Sequence, residues 1–307
     1  MPEIAISTLL SRYTELLAMA GADSPRLCAE LIVGEAARLG RAQLLAFGER
    51  TLNREEQAAC EGMLARRMQG EPMAYILGRK EFYGREFMVS PAVLIPRPET
   101  ELLVDLALHR LDRAAPVRFA DLGCGSGCLL ASLLAEAPAW TGVGVDISPA
   151  ALEICAANLQ RLLGESAAVE AGPVPEESLS RASLRLADFA GSGCLPAAHF
   201  DLIVSNPPYI SSLEYQTLEP GVRNFEPRLA LESGEDGLYH ARQVAALGLR
   251  ALRPGGLLLM EIGCEQGAAA LRLFSGQPWA QVELVPDLAG LDRVILARRA
   301  CNCLQNQ

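Results

Sequence analysis

The fold of this chain is decided by the stretch Asp121–Gly127, whose sequence is DLGCGSG. It closes an apolar run at 117–122 that predicts a buried strand, and it opens a helix. Glycines let the backbone turn tightly between strand and helix and let it approach a ligand closely. A strand, a glycine turn and a helix in this order predict the first unit of an open α/β sheet.

Strand and helix patterns continue to alternate beyond residue 115. Helices are predicted after Gly127, from Ser148-Pro149 to about Gly164, and across 237–252. The alternation predicts an α/β fold, a Rossmann-like, doubly wound and mostly parallel sheet of seven strands. The strand candidates are 117–122, 141–146, 184–187, 200–205, 256–262, 281–286 and 292–298. The stretch 164–183, rich in Gly, Pro, Ser, Ala and Glu, is predicted to be a surface insertion without chemistry.

The N-terminal part has a different pattern. Residues 1–75 are predicted to form a small helical domain without strands, in which apolar residues from Ile4 to Leu17 recur at helical spacing. Ser24-Pro25 predicts an N-cap and the start of a second helix, and Asn53 with Glu56 predicts a capping box for a third.

A linker at 76–100 is predicted to join this helical domain to the α/β domain at 101–307. Aromatic and β-forming residues around Gly84, at 81–89, predict a β-hairpin. The proline-rich segment Leu94–Glu101, with the sequence LIPRPETE, is stiff and leads into an amphipathic helix.

Composition excludes several classes of protein. The chain has 307 residues, a formal net charge of −10 and a pI near 5.0, which argues against a protein whose main role is to grip nucleic acid backbone. Its start has no basic segment, and no run of 18 uncharged apolar residues occurs, so we predict neither a signal peptide nor a membrane span. The nine cysteines are scattered in spacings that match no zinc site, and reduced thiols in a cytoplasm fit best.

Asp146 points to the ligand of the glycine turn. It ends the second strand, 19 residues after Gly127, where a carboxylate can accept hydrogen bonds from the hydroxyls of a ribose. The spacing Gly-x-Gly-x-Gly differs from the nicotinamide fingerprint, and the chain has no nucleoside triphosphate loop. Asp188 and Phe189 follow the third strand, where an acid can reach an adenine amino group beside a stacked ring. The alternative is a loop acid and a core phenylalanine. Together these residues predict a cofactor that contains adenosine.

The tetrapeptide Asn206–Tyr209, with the sequence NPPY, follows the apolar run 200–204 and should lie at the carboxyl end of a strand, where open α/β sheets bind ligands. Its two prolines remove two N–H donors, so that acceptors dominate: the Asn206 side-chain oxygen and nearby carbonyls, beside one aromatic ring. Such a cluster suits a planar –NH2 group. The alternative is a proline-rich turn. The three histidines lie outside these motifs and are expected to be structural or exposed.

These residues together resemble the class I S-adenosylmethionine (SAM)-dependent methyltransferases that modify an exocyclic or amide nitrogen. Four further segments resemble more narrowly the PrmC/HemK family, which methylates the side-chain amide of the glutamine in the Gly-Gly-Gln loop of peptide chain release factors. They are Gly70–Gly78, Glu81–Gly84, Leu94–Glu101 and Phe225–Pro227 with Ala230-Leu231. The resemblance spans nearly the whole chain, and its main departure is the insertion at 164–183.

The resemblance implies a set of roles. SAM would be held by Asp121, Gly123, Cys124, Gly125, Gly127, Asp146, Asp188, Phe189 and Asn206. The target glutamine would be held by Asn206, Pro207, Pro208 and Tyr209, with Asn206, Pro207 and Tyr209 as the catalytic residues. It also implies S-adenosyl-L-homocysteine as product, no metal, a release factor as partner, no nucleic acid substrate, and no membrane. We further expect a monomer.

Three other functions are compatible with parts of the sequence. A DNA adenine-N6 methyltransferase could use the same tetrapeptide, but it must flip its base and grip phosphates, which the acidic balance disfavours. A methyltransferase for a glutamine of a ribosomal protein shares the architecture, although Ile95–Glu101 fits the release-factor branch better. An adaptor with a relic site would not need an intact Asn206–Tyr209. The helical domain carries no chemistry, and we hypothesise that it docks the release factor.

Overall fold

The structure, a computed structural model, describes residues 4–175, 180–191, 193–276 and 278–301. The chain divides into two compact units. The helical unit comprises the chain up to Gly78 together with Glu219–Phe225, and the α/β unit comprises Arg79–Leu218 and the chain from Glu226 onward. In the described residues, no helix is long and apolar enough to cross a membrane.

The helical unit packs its helices around a core that includes Leu9, Tyr13, Ile32 and Leu64. Its helices are α1 (Ile6–Met19), α2 (Pro25–Ala37), α3 (Arg41–Ala46), α4 (Arg54–Met68), α5 (Met73–Leu77) and α10 (Pro220–Arg223). The prediction that this region has no strand is wrong, because β1 (Ile4–Ala5) pairs antiparallel with β2 (Thr51–Leu52). Two-residue strands are too short to show a period of two in the sequence.

The two predicted helix starts have different outcomes. The capping box is confirmed: the Glu56 N–H donates to Asn53 Oδ1 and the Asn53 N–H donates to Glu56 Oε2, both at 2.9 Å. Pro25 begins α2 as expected, but Ser24 makes no side-chain capping bond. Side-chain capping requires an extended backbone, whereas Ser24 has a φ of +48°.

The α/β unit contains a hairpin and one eight-stranded sheet. The predicted hairpin is confirmed as β3 (Arg79–Phe82) and β4 (Arg85–Met88). The sheet strands are β5 (Arg118–Leu122), β6 (Thr141–Asp146), β7 (Val169–Ala171), β8 (Ala182–Leu186), β9 (Phe200–Ser205), β10 (Leu252–Glu261), β11 (Trp279–Pro286) and β12 (Asp292–Arg299). The helices are α6 (Glu101–Arg110), α7 (Cys128–Glu136), α8 (Pro149–Leu163), α9 (Ser212–Thr217), α11 (Tyr239–Ala251) and α12 (Gly267–Leu273), with short 3-10 turns at Pro98–Thr100 and Arg228–Ala230.

The predicted count of seven strands is corrected to eight. The additional strand, β7, lies inside the stretch 164–183 and pairs in parallel with β8 at the sheet edge. All three of its residues are exposed, so it has no buried face and no hydrophobic alternation for the sequence to display. Residues 176–179 of this stretch lie outside the described residues.

The order of strands in the sheet is β11-β12-β10-β9-β5-β6-β8-β7, and only the β12 pairings are antiparallel. Along β9, Leu202 and Val204 enter the core shared with α6, α7 and α8, whereas Ile203 enters the core shared with α11 and α12. The central strand β5 pairs with β6 on one side and with β9 on the other. The chain therefore reverses its winding direction at β5, and the carboxyl ends of these three strands meet where open sheets bind ligands.

Candidate active site

A cavity of about 280 Å³ lies at the carboxyl ends of β5, β6 and β9. Nine residues predicted for the site line it: Asp121, Gly123, Cys124, Gly125, Asp146, Asp188, Phe189, Asn206 and Pro208. Three others, Gly127, Pro207 and Tyr209, are not among the described residues that line it. The fold thus brings the glycine turn, two strand-end acids and the tetrapeptide to one place.

The glycine turn is bound to the neighbouring strand through its backbone. The N–H groups of Gly123 and Cys124 donate to the Val145 carbonyl at 2.8 and 3.1 Å. Gly125 has a φ of +51° and donates its N–H to Asp146 Oδ2 at 2.9 Å. Gly127 is required by packing, because a Cβ at this position would lie 2.5 Å from the Cys155 sulfur.

Asp146 is fixed at the end of β6 by two backbone donors. Its Oδ2 accepts from Gly125, and its Oδ1 accepts from the Ser148 N–H at 2.9 Å. Burial raises the pKa of this carboxyl, and the backbone donors oppose that rise. Each carboxylate oxygen has a second lone-pair site, so Asp146 can still accept bonds from a diol in the cavity.

Asp121 has an incomplete set of partners. It is 1% exposed, and its Oδ2 accepts from the Leu130 N–H at 3.1 Å, whereas its Oδ1 has no partner among the described residues. Burial raises the pKa of the carboxyl to about 7, and the negative charge of Asp146 adds to that rise. A buried carboxylate oxygen without a partner is unfavourable, so this position fits a ligand that carries a donor or a positive charge.

The cavity lining also combines an acid with aromatic rings. Asp188 is exposed and accepts from the Ala190 N–H at 2.8 Å, and Phe189 is buried beside it. The His240 ring lies 5.8 Å from the Phe189 ring, centroid to centroid, and its Nδ1 is 2.9 Å from Ser233 Oγ. Burial lowers the pKa of His240. His240 lines the cavity although it lies outside the sequence motifs.

The amide of Asn206 has only one of its two ends occupied. Its Nδ2 donates to Thr100 Oγ1 at 2.9 Å, and Thr100 Oγ1 in turn donates to Glu261 Oε2 at 2.7 Å. Asn206 Oδ1 receives no hydrogen bond from any residue that the structure describes. An acceptor is therefore available at the end of β9.

Pro207 and Tyr209 belong to the same tetrapeptide as Asn206 and are held by burial and by a hydrogen bond. Pro207 is buried, and the Tyr209 carbonyl accepts from Gln266 Nε2 at 2.8 Å. Gln266 is itself oriented, because its Oε1 accepts from the Gly263 N–H at 3.0 Å. Burial raises the pKa of Tyr209 to about 12, and the nearby Glu261 carboxylate adds to that rise. The Tyr209 phenol therefore remains protonated.

An ion pair between a buried carboxylate and a partly exposed arginine joins two segments of the cavity wall. Glu226 accepts from the Ile95 N–H at 3.1 Å through Oε2 and pairs with Arg97 Nη2 at 2.5 Å through Oε1. Its side chain is 1% exposed. Arg97 and Pro227 both line the cavity, so this pair fixes the proline-rich segment against the segment that follows the tetrapeptide. In the sequence, Glu226 is recognisable only as part of the family segment Phe225–Pro227, without an indication of its ion pair.

Asn158 also has a role that the sequence did not reveal. It lies fully buried in α8, and its Nδ2 donates to the Met88 and Ser126 carbonyls at 3.0 and 2.9 Å. Its Oδ1 accepts from the Met88 N–H at 2.8 Å. One side chain therefore connects the hairpin to the glycine turn.

The described residues contain no cluster of three or more His, Cys, Asp or Glu that could hold a metal ion. The chemistry of the donors instead suits an organic ligand: a tight backbone turn beside a strand-end acid, a second buried acid with an open oxygen, and one open amide acceptor. Such a site can bind an adenosine-containing molecule and orient an –NH2 group next to it.

Comparison with known proteins gives two matches to protein families. Residues 8–78 match the PrmC N-terminal domain, and residues 120–230 match a methyltransferase domain. The chain is 43% identical over 299 residues to the release factor glutamine methyltransferase of Nitratidesulfovibrio vulgaris, an alignment that covers 97% of this chain and 95% of that protein. The enzyme of the same name from Koribacter versatilis is 41% identical over 283 residues, with coverage of 92% and 94%.

One similar solved structure is a release factor-specific protein-(glutamine-N5) methyltransferase from Alicyclobacillus acidocaldarius. It is 30% identical, and the match covers 70% of this chain and 99% of that one, with a TM-score of 0.39.

Proposed function

We propose that this chain, which belongs to the family of release factor glutamine methyltransferases, transfers a methyl group from SAM to the N5 amide nitrogen of the glutamine in the Gly-Gly-Gln motif of peptide chain release factors. One observation carries the proposal. The open acceptor of Asn206 lines the same cavity as the glycine turn and Asp146. An acceptor that suits a planar –NH2 group and residues that would hold an adenosine-containing donor therefore line one cavity.

The cavity residues fit SAM as the cofactor. Asp146 would accept the ribose hydroxyls, and Oδ1 of Asp121, which has no partner among the described residues, would pair with the ammonium of the methionine part. The turn Gly123–Gly125 allows close approach of the cofactor, while Asp188 and Phe189 would contact the adenine. When bound, SAM supplies an electrophilic methyl group on a sulfonium.

The tetrapeptide would act by positioning. An amide nitrogen is a poor nucleophile because its lone pair is delocalised into the carbonyl. Asn206 Oδ1 and the Pro207 carbonyl would accept the two amide hydrogens and so direct the nitrogen lone pair towards the cofactor side of the cavity. Orientation of this kind can lower a barrier by up to about 7–11 kcal/mol. Acceptors that interact more strongly as the nitrogen becomes positive add a preorganised electrostatic contribution.

Tyr209 would stack on the amide plane of the glutamine. Its ring lies close to the backbone of Gly263, because a Cβ at that glycine would be 3.5 Å from Tyr209 Cδ2. Gln266 holds the Tyr209 backbone through the hydrogen bond to its carbonyl. A cation–π contribution of about 0.5–2 kcal/mol towards a nearby sulfonium would be available to such a ring.

The proposed reaction can be tested with labelled SAM and four acceptors: a purified release factor, its Gly-Gly-Gln→Gly-Gly-Ala variant, total ribosomal protein and duplex DNA. Label on the wild-type factor alone supports the proposal. Label on DNA would instead identify an adenine methyltransferase, and label on ribosomal protein would identify a different glutamine substrate. Absence of methyl transfer to all four acceptors would favour the alternative that the chain is a binding adaptor with a relic site and not an enzyme.

The helical unit would dock the release factor, which must present its loop to the cavity. Two apolar side chains at the end of α3 support this role, because Leu45 is 72% and Phe47 is 52% exposed. Leu45→Asp with Phe47→Asp should raise the KM for the factor and leave the Kd for SAM unchanged. Met19→Asp, an exposed apolar position at the end of α1, is the matched control. An unchanged KM in the double variant would reject this docking site.

A further inference from the structure

The acceptor orientation of Asn206 depends on two side chains that belong to neither the glycine turn nor the tetrapeptide. Thr100 ends the short 3-10 turn before α6, and Glu261 ends β10. Thr100 is 3% exposed and Glu261 is 1% exposed, so water does not compete for their hydrogen bonds. We infer that Thr100 and Glu261 are positioning residues that fix the Asn206 amide with its oxygen towards the substrate.

The direction of each hydrogen bond follows from the number of protons. An ionised carboxylate accepts only, so the single hydroxyl hydrogen of Thr100 must go to Glu261 Oε2, 2.7 Å away. Thr100 Oγ1 can then only accept from Asn206, and the partner at 2.9 Å must be the –NH2 end of its amide. The oxygen end of the amide is thereby left for the cavity.

Loss of the carboxylate charge would remove this constraint. If Glu261 carried a proton or were replaced by an amide, it could donate to Thr100, and the Thr100 hydroxyl could donate to the Asn206 oxygen. The Asn206 amide would then turn its –NH2 end into the cavity. A donor there cannot accept the hydrogens of a glutamine amide, so the turned state would not support transfer. This inference rests on the proposed function, because it specifies how that site selects an –NH2 group.

Glu261 should titrate at a pH at which the enzyme can be assayed. Burial raises its pKa to about 7, against the opposing effect of the Thr100 hydrogen bond. The charged and titratable groups that face it are Arg293, Glu99, Arg97 and Tyr209, of which the two arginines favour the ionised form. Glu261 should therefore ionise as the pH rises through neutrality.

Three variants test the inference at saturating SAM with a release factor as substrate. Thr100→Val removes the hydroxyl and should lower kcat about 10²-fold, since a small misplacement of a positioned group has an effect of this size. Thr100→Ser retains the hydroxyl and should stay within about threefold of the wild-type kcat. Glu261→Gln should lower kcat about tenfold, because the turned amide becomes accessible. Ser132→Ala, which removes a fully buried hydroxyl without a partner among the described residues, is the control.

The Kd for SAM, measured by calorimetry, provides a readout besides activity and should change less than about threefold in all four variants. A pH profile of kcat at saturating SAM adds a second readout. Wild-type kcat should fall below pH 7 as Glu261 takes up a proton, and the kcat of Glu261→Gln should be low and independent of pH across that range.

The outcomes are distinguishable from failure of the proposed function. A wild-type protein that labels no release factor would reject the function itself. An active wild type whose Thr100→Val and Glu261→Gln variants keep kcat within about twofold would overturn the inference. Should Thr100→Val fail to fold, Glu261→Gln and its pH profile decide: a wild-type-like kcat or a retained pH dependence would overturn the inference.

Discussion

The two sides of the cavity are built in different ways. The cofactor side, Gly123 to Gly125 with Asp146, is held by hydrogen bonds that backbone N–H groups donate to the Val145 carbonyl and to the Asp146 carboxylate. The amide side, Asn206 with Thr100 and Glu261, is held by two side-chain hydrogen bonds, each of which joins residues more than one hundred positions apart along the chain. Bonds from backbone N–H groups can form in any chain that winds in this way around β5. The two bonds of the amide side require particular side chains at positions 100, 206 and 261. We therefore expect the cofactor side to determine affinity and the amide side to determine rate.

The largest effect should come from Asn206→Ala. Loss of the oriented acceptor should lower kcat by about 10³-fold, as for removal of one preorganised hydrogen-bonding group in other enzymes. The Kd for SAM should change much less than kcat, because Asp146 and the glycine turn remain although Asn206 also lines the cavity. Single-turnover transfer to a release factor and calorimetry with SAM measure the two quantities. Asn224→Ala, an exposed asparagine of the helical unit, is the control, and a wild-type rate in Asn206→Ala would refute the role of the acceptor.

Asp146→Ala should have the opposite effect to Asn206→Ala: the Kd for SAM should rise, whereas kcat should change little. Two charge-assisted hydrogen bonds to a ribose would be lost, which corresponds to about 2–3 kcal/mol or roughly a 10²-fold rise in the Kd for SAM. At saturating SAM, kcat should be affected much less. Asp105→Ala removes an exposed carboxylate that is bonded to the Tyr83 hydroxyl and provides the matched control. An unchanged Kd in Asp146→Ala would remove the basis for the cofactor assignment.

Glu226→Ala tests whether the cavity wall needs the ion pair between Glu226 and Arg97. The substitution leaves the Ile95 N–H without its acceptor and Arg97 without its partner. Because Arg97 is about one-third exposed, water compensates in part, and we expect a loss of about 1–3 kcal/mol in the free energy of unfolding. Denaturant midpoints measure this loss. Asp236→Ala, which breaks an exposed pair with Arg242, should lower the free energy of unfolding much less. Equal losses in the two variants would show that burial of Glu226 adds nothing to the stability of its ion pair.

The smallest effect should be the pH dependence that Asp121 imparts to the cofactor side. Its pKa is raised to about 7 by burial, so it loses its charge as the pH falls below neutrality. Affinity for SAM should then fall by up to about tenfold per pH unit, since only the ionised carboxylate pairs with the ammonium. Asp121→Asn should bind SAM more weakly and without this dependence. A wild-type affinity that is constant from pH 8 to 6 would contradict the pairing.

Asp121 should also change the stability of the ligand-free protein, with the opposite sign. A carboxyl whose pKa is higher in the folded than in the unfolded state contributes stability at low pH, and this contribution is lost as the pH rises through about 7. Asp121→Asn should therefore lose less thermal stability than the wild type between pH 5 and pH 8.

The cofactor side and the central sheet could be predicted from sequence because their signals are local. Apolar runs, the glycine turn and the strand-end Asp146 lie within about thirty residues of one another, and their spacing specifies how they meet. The edge strand β7 escaped prediction because all of its residues are exposed. Ser24 was mispredicted as a cap because its backbone is left-handed, which its residue type does not reveal.

The amide side could be predicted only as far as the tetrapeptide itself. The sequence indicated acceptors at Asn206–Tyr209, but nothing in it shows that Thr100 and Glu261 reach Asn206. His240 likewise lines the cavity, from the start of α11. Its position depends on the preceding turn, which contains Gly234 and Gly237 and has no periodic pattern that would predict its path. Such contacts arise from the packing of distant segments and carry no fixed spacing.

The side chain of Asn158 has a consequence for the dynamics of the α/β unit. It is bonded on one side to both the N–H and the carbonyl of Met88 in the hairpin, and on the other side to the carbonyl of Ser126 in the glycine turn. Opening the hairpin alone would expose or orphan these buried polar groups, so the hairpin should not fray independently. The Met88 amide should then exchange its hydrogen with solvent as slowly as the central strands do. In a fragment that begins after the hairpin, Asn158 would lack its bonds to Met88, and we expect the glycine turn to be less rigid.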